Sequence, residues 1–341
     1  MIKMYAKELK IDKQNRMWQM DYLKALCIIF VIITHYGLTY SDPIRDNVFW
    51  LLGINMAVPV FIIISGYMQG LSCEKNAIFT LREYYTVTNL FKKLSSVIFP
   101  FLIIYLVESL QMCRMKSLTV SRFLYGLFTG GFGPGSFYPL IMIQLILIFP
   151  VLYFGIKKHP KQMLFIISGV SILLEIVAVA IHMDAALYRL LIIRYICFIA
   201  AGIYLYLFDF SVKEVFISTS LTIIFLYLIV FKDCSIRGFF FGWERAALPE
   251  LPFAAFVVIL GTKYMRQFGD GLIHKVILEI GQSTYFIFLV QMVWYHFAMD
   301  RYFIGPYISL VSNIFFCVFF GCIFKEVYSF ISVKSRKGMK R

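Results

Sequence analysis

An all-α bundle of about ten membrane-spanning helices is the fold class this chain predicts, on three observations. Of its 341 residues, 60% are hydrophobic and only 15% are charged, with a mean hydropathy of +0.79. A soluble domain carries ~25% charged residues, so a water-soluble core of this size would lack the polar residues to cover it. The apolar residues come in runs close to the ~20 that a helix needs to cross a bilayer. The net charge of +14, from 33 Lys and Arg against 19 Asp and Glu, sits mostly between those runs. The positive-inside rule puts basic residues there, so nucleic acid is not needed to explain them. An ordinary soluble enzyme, a disordered chain and a disulfide-stapled secreted module are excluded. The lipid bilayer is the expected partner; nucleic acid is not.

Ten runs meet the criterion: residues 22–40, 49–71, 97–112, 137–156, 163–183, 187–207, 215–231, 249–265, 276–299 and 303–333. The first follows a polar segment, 1–20, with no feature of a cleavable signal, and is expected to stay in the membrane. The second ends in Ser-Gly-Tyr, the third follows Lys92 and Lys93, and the fourth opens on a glycine-rich stretch and closes at Pro150. The tenth is long enough to tilt, bend or end in an amphipathic stretch. Aromatics at 18% suit lipid-facing walls and interfacial belts. Residues 21–333 are thus expected to form one transmembrane domain, with 334–341 a basic tail.

Orientation follows from Lys and Arg. Lys3, Lys7, Lys10, Lys13 and Arg16 precede the first run; Lys92 and Lys93 follow the second, Lys157, Lys158 and Lys161 the fourth, and Lys263, Arg266 and Lys275 the eighth. With the tail, these segments share one side of a ten-span protein, and by the positive-inside rule that side is cytoplasmic with both termini. Arg114, Lys116 and Arg122 form the one dissenting loop. The seven cysteines contain no C-x-x-C, and no N-x-[ST] acceptor occurs, so neither a metal site nor a glycosylated surface chain is indicated.

Ionisable groups inside a span are costly and are functional candidates by default. The first span carries Asp21, Lys24 and His35. Lys24 and His35 are eleven residues apart, about 1100° at ~100° per residue, so they share a helix face about 16 Å apart along the axis. Asp21 lies one turn before Lys24, in reach of an ion pair. The bland alternative is a snorkelling Lys and a packed His.

K-A-L-C-I-I-F-V-I-I-T-H (24–35) resembles the signature span of the membrane acyltransferase family 3: a basic residue, ten mostly apolar residues and a histidine, with an Asp three residues before the basic one. The family's usual Arg is Lys24 here, which keeps the charge and loses the bidentate fork. VPVFIIISGYMQG (58–70), GPGSFYPLIMIQLILIFPVLY (133–153), RYICFIAAGIYLY (194–206) and IGQSTYFIFLVQ (280–291) are similar to further family segments, in the right order. Two departures stand out. In LFKKLSSVIFP, Lys93 fits the first position of the family's R-x-x-R pair while Ser96 stands at the second, and Gln291 stands where a His is common.

The resemblance implies transfer of an acyl group, usually acetyl from acetyl-CoA, to a hydroxyl of a surface polysaccharide or lipid-linked sugar. Lys24, Lys92 and Lys93 are then the expected attractors for the CoA phosphates. His35 is the expected general base or, alternatively, the acyl carrier. Catalytic roles fall to His35, Asp21 and Lys24. Ser65, Tyr67, Gln144 and Tyr138 are expected at the acceptor, although Ser65 and its glycine neighbour equally suit close helix packing. No metal is expected.

Glu108 and Glu175 are expected to pair with Arg189 or Arg194 within the bundle. The run Gly130–Ser136 has no G-K-[ST] and is no phosphate loop; it reads as a flexible outer loop, a re-entry turn or an acceptor lid. His159, His182 and His274 are expected in solvated loops, and His296 near the outer end of a span. A transporter or flippase of a glycan or small anionic solute, and a non-catalytic scaffold, are the competing readings. Paired, Gly/Pro-broken spans of the transporter type are not evident.

Overall fold

The computed structural model describes residues 17–39, 53–208, 248–267, 269–299 and 305–338, with short pieces between 213 and 227. Among the described residues twelve α-helices are defined at both ends, and there is no strand. They are α1 (Trp18–Thr39), α2 (Ala57–Lys75), α3 (Leu81–Tyr84), α4 (Val87–Arg114), α5 (Val120–Thr129), α6 (Phe137–Lys158), α7 (Pro160–Ala180), α8 (Ala185–Leu190), α9 (Ile196–Leu207), α10 (Leu251–Tyr264), α11 (Leu272–His296) and α12 (Pro306–Gly338). Seven are long and apolar enough to cross a membrane: α1, α2, α4, α6, α7, α11 and α12. The chain is an all-α polytopic membrane protein, because in hydrocarbon only a helix satisfies every backbone group within a single segment. The basic residues before Met17, Cys234, most of the expected seventh span and the last three residues of the tail lie outside the described residues.

Four expected elements change. The eighth run gives α10, a helix of only 14 residues and short of the length that crosses a bilayer. The third span begins ten residues early, at Val87, so Lys92 and Lys93 lie on α4 and not in a turn. The last run and the start of the expected tail form one helix of 33 residues, about 50 Å at ~1.5 Å per residue, which exceeds the ~30 Å hydrocarbon thickness. The sixth run is not one helix. Leu191 is extended (ψ 119°) between α8 and a 3₁₀ turn over Ile192–Tyr195 that leads into α9. Gln144 satisfies the backbone at the break: its Nε2 donates to the Leu190 carbonyl at 2.8 Å, and Ile192 N–H donates to its Oε1 at 3.1 Å.

The chain forms two compact units. The first comprises residues 1–20, 44–93 and 144–266. Here α2 packs on α9 and α10 on both. The α2–α9 approach depends on glycine. A Cβ at Gly66 would lie 2.5 Å from the Ile199 carbonyl oxygen, and one at Gly202 would overlap the Ile63 carbonyl. Small residues allow helix backbones this close in a membrane. Glu175 of α7 accepts from the Tyr188 hydroxyl, and the Arg194 guanidinium lies 4.6 Å from the centre of that ring.

The second unit comprises residues 21–43, 94–143 and 267–341. It holds most of α1, the rest of α4, α5, the start of α6, α11 and α12. The α11–α12 pair is close, with Gly321 against the backbone of Ile287. Trp294 Nε1 donates to Asn313 Oδ1 at 2.7 Å, and Lys325 Nζ meets Glu279 Oε1 at 2.6 Å. An ammonium–carboxylate pair of this kind keeps both charges from facing hydrocarbon alone. Gly281 of α11 sits on the backbone of Asp21, which brings α1 against α11.

Candidate active site

Asp21, Lys24 and His35 all lie on the uninterrupted helix α1. Asp21 is 1% exposed and its carboxylate meets Lys24 Nζ at 2.6 Å, the i,i+3 pair that helical spacing predicts. Next to it, Tyr22 Oη lies 2.7 Å from His274 Nδ1. His274 is therefore in the first turn of α11 and engaged, not in a solvated loop. His159 and His182 are exposed, as expected.

His35 is part-buried, about three turns further along α1. Its ring lies 6.2 Å from that of Tyr295 on α11, and the Tyr295 hydroxyl donates to the Ile32 carbonyl at 3.0 Å. The glycine-rich stretch also approaches the imidazole. A Cβ at Gly135 would lie 3.3 Å from His35 Nε2 and 2.9 Å from Phe288 Cζ. Gly135 has φ +81°, a conformation that costs glycine little. Tyr138 follows within one turn, with its ring 4.7 Å from that of Phe288.

The stretch Gly130–Ser136 is thus a packed structure and not a bare re-entry turn. It starts as the left-handed cap of α5, where Gly130 has φ +91° and Gly131 N–H donates to the Gly126 carbonyl at 2.7 Å. Phe132 N–H donates to Glu108 Oε2 at 3.0 Å. Glu108, on α4, is fully buried, and its partner is this backbone and not an arginine. A Cβ at Gly131 would lie 2.8 Å from Glu108 Oε2; one at Gly133 would lie 2.9 Å from Oε1 and overlap the Met292 carbonyl. The Phe132 ring stacks on Tyr105 at 5.6 Å and lies 6.0 Å from His296. His296, at the end of α11, faces this loop.

Residues 288, 291, 292 and 295 of α11 fall within an arc of about 100°. Three of them touch the glycine loop or His35. The fourth, Gln291, is fully buried, and neither Oε1 nor Nε2 has a hydrogen-bond partner among the described residues. Sequence reasoning treated Gln291 only as a departure from a family pattern. The 288/291/292/295 spacing was visible, but not what that face touches.

The remaining candidates belong to the first unit. Lys92 is exposed, and Lys93 Nζ lies 5.1 Å from the centre of the Tyr84 ring. The Ser65 hydroxyl donates back to the Phe61 carbonyl at 2.8 Å, a bond within its own helix. Tyr67 packs edge-on to Tyr206 at 5.3 Å. Both ends of the Gln144 amide are occupied at the helix break described above.

Residues 17–326 match the acyltransferase domain family. No curated protein and no solved structure shows a significant match. With nearly the whole chain covered, and with long apolar helices throughout, this protein belongs to acyltransferase family 3 and is a membrane acyltransferase.

Proposed function

We propose that this acyltransferase moves an acetyl group from acetyl-CoA to a hydroxyl of a surface polysaccharide or lipid-linked sugar, in the cell membrane with both termini cytoplasmic. The observation that carries this reading is the surroundings of His35. An imidazole within a spanning helix lies near the Tyr295 ring and near the Gly135 backbone, with a buried carboxamide on the same arc of α11.

In this reading His35 takes the proton of the acceptor hydroxyl as its oxygen adds to the thioester carbonyl. The tetrahedral adduct collapses, the CoA thiolate leaves, and the imidazolium returns the proton to sulfur. The products are the ester and free CoA. A positioned general base contributes typically ~10²–10⁴-fold in rate. Gln291 supplies an N–H donor to the carbonyl oxygen as charge develops on it, in a dry site where such a donor counts most. Lys24, held by Asp21, and Lys92 and Lys93 attract the anionic donor as point charges. Ser65, Tyr67, Gln144 and Tyr138 remain proposed acceptor contacts. Of these, Tyr138 has the most direct support, since it shares Phe288 with Gly135.

The test uses His35→Ala and His35→Gln in purified, folded protein, assayed for acetyl transfer to glycan at saturating acetyl-CoA, with donor binding measured separately. Turnover is expected to fall on the order of 10²-fold or more with donor binding retained. Near-normal turnover in both variants would refute the assignment.

A further inference from the structure

We infer that Glu108 is a positioning residue for the reaction: its buried carboxylate holds the Gly130–Ser136 loop so that the Gly135 backbone lies against His35 Nε2. This rests on the reading of His35 as the base. Glu108 is on a different helix from His35, and no motif singles it out. What the structure adds is a chain of contacts within one unit. Glu108 Oε2 accepts from Phe132 N–H at 3.0 Å. Glycines at positions 131 and 133 bring the loop backbone so close to both carboxylate oxygens that a Cβ would fall within 2.8 and 2.9 Å of them. Two residues further, Gly135 meets His35 and Phe288.

The alternation has a physical reading. At 131, 133 and 135 the loop turns its side without Cβ to Glu108, to Met292 and Glu108, and to Phe288 and His35 in turn. Phe132 points elsewhere, into the ring cluster of Tyr105 and His296. A loop with four glycines between 130 and 135 loses much backbone entropy on ordering. Its own side chains offer little to offset that loss. A fully buried carboxyl group aimed at the loop backbone from α4 does offset it, because it accepts Phe132 N–H where no water competes for the bond. A carboxyl group in this place would be an unneeded cost if the loop were only a connector.

The experiment compares Glu108→Leu, Glu108→Gln and Gly133→Ala in the full chain, reconstituted in lipid nanodiscs. It reads amide hydrogen exchange over 130–136, kcat, and KM for acetyl-CoA. Glu108→Leu is expected to speed exchange of the loop about ten-fold or more and to lower kcat by a similar factor at unchanged donor KM, the size expected when a buried N–H loses its acceptor. Glu108→Gln keeps an acceptor for Phe132 N–H and is expected to stay within about three-fold of the parent in both. Gly133→Ala leaves Glu108 intact but pushes the loop off both Glu108 Oε1 and the Met292 carbonyl, and is expected to match Glu108→Leu in exchange and kcat; parental kcat with a fast-exchanging loop in this variant overturns the inference even if Glu108→Leu does not fold. Unchanged exchange in Glu108→Leu, or fast exchange with parental kcat, overturns the inference. So does a Glu108→Gln variant that loses kcat with its loop still protected, since the carboxylate would then act through charge. His35→Ala run alongside separates the two claims: parental turnover there sinks the base assignment, whatever the loop does.

Discussion

Gln291→Leu sets stability against turnover at one position. The Gln291 side chain is fully buried, and neither of its polar atoms has a hydrogen-bond partner among the described residues. Leaving a buried donor or acceptor unmade costs about 1–3 kcal/mol each. Leucine has a similar volume and no polar atoms, so the substitution removes two such penalties and adds apolar contact. Even if relaxation halves the gain, stability should rise by about 1–3 kcal/mol. The carboxamide is assigned to bound substrate, so the same substitution should lower kcat on the order of 10²-fold, the scale of losing one donor to a developing oxyanion. The assay is thermal unfolding of the detergent-purified protein, followed by tryptophan fluorescence, beside acetyl transfer on the same preparation. Loss of more than about 1 kcal/mol of stability would mean that the amide is paired in the protein, and the reasoning fails at its first step. A stabilised variant with full turnover would leave the burial argument standing and remove the amide from the chemistry.

Two further outcomes are expected. Lys24→Ala takes away the ammonium 2.6 Å from a carboxylate that is 1% exposed, so it should destabilise the protein by about 3–5 kcal/mol, whereas Lys24→Arg and the double change Asp21→Asn with Lys24→Met should unfold near the parental temperature. Weakened acetyl-CoA binding in the double variant then isolates the electrostatic role of Lys24; a Lys24→Ala variant that unfolds like the parent removes the pair from the stability account. A reporter fused after Arg341 should read cytoplasmic, as the distribution of Lys and Arg demands, and a reproducible signal from the opposite side reverses the orientation.

Much of the site's first helix was legible in the sequence, because what sets it is local. The i,i+3 spacing alone put Asp21 in reach of Lys24, and the structure has that pair. Partners on other helices were not legible. Glu108 was expected to meet an arginine, since a carboxylate in an apolar run needs compensation and a guanidinium is the usual source. One backbone N–H of a glycine loop, that of Phe132, meets it instead. Gln144, expected at the acceptor, bonds the backbone at a helix break, a partner that nothing in its spacing announced. The break itself was hidden because residues 187–207 are mostly apolar, with Arg189 and Arg194 the charged exceptions, and hydropathy cannot tell one helix from two. Lys325 and Glu279, one on each of the last two helices, drew no notice until the structure brought them together.

The sequence by itself determined that the chain is a helical membrane protein, roughly where most spans lie, and which family it belongs to. The first two follow from hydrocarbon burial and from the need to satisfy each backbone group within its own segment, which act along the chain; the family follows from the order of motif residues such as Lys24 and His35. The tertiary structure alone decided which faces meet. Leu, Ile and Phe pack on one another with little preference, so apolar helices carry almost no address for their neighbours. The address lies in residues whose meaning depends on their surroundings: a glycine reads as a turn until another backbone is found against it, and a glutamate as an ion-pair candidate until its oxygens are seen facing a loop. Gly135 on His35, and Glu108 behind that loop, are of this kind.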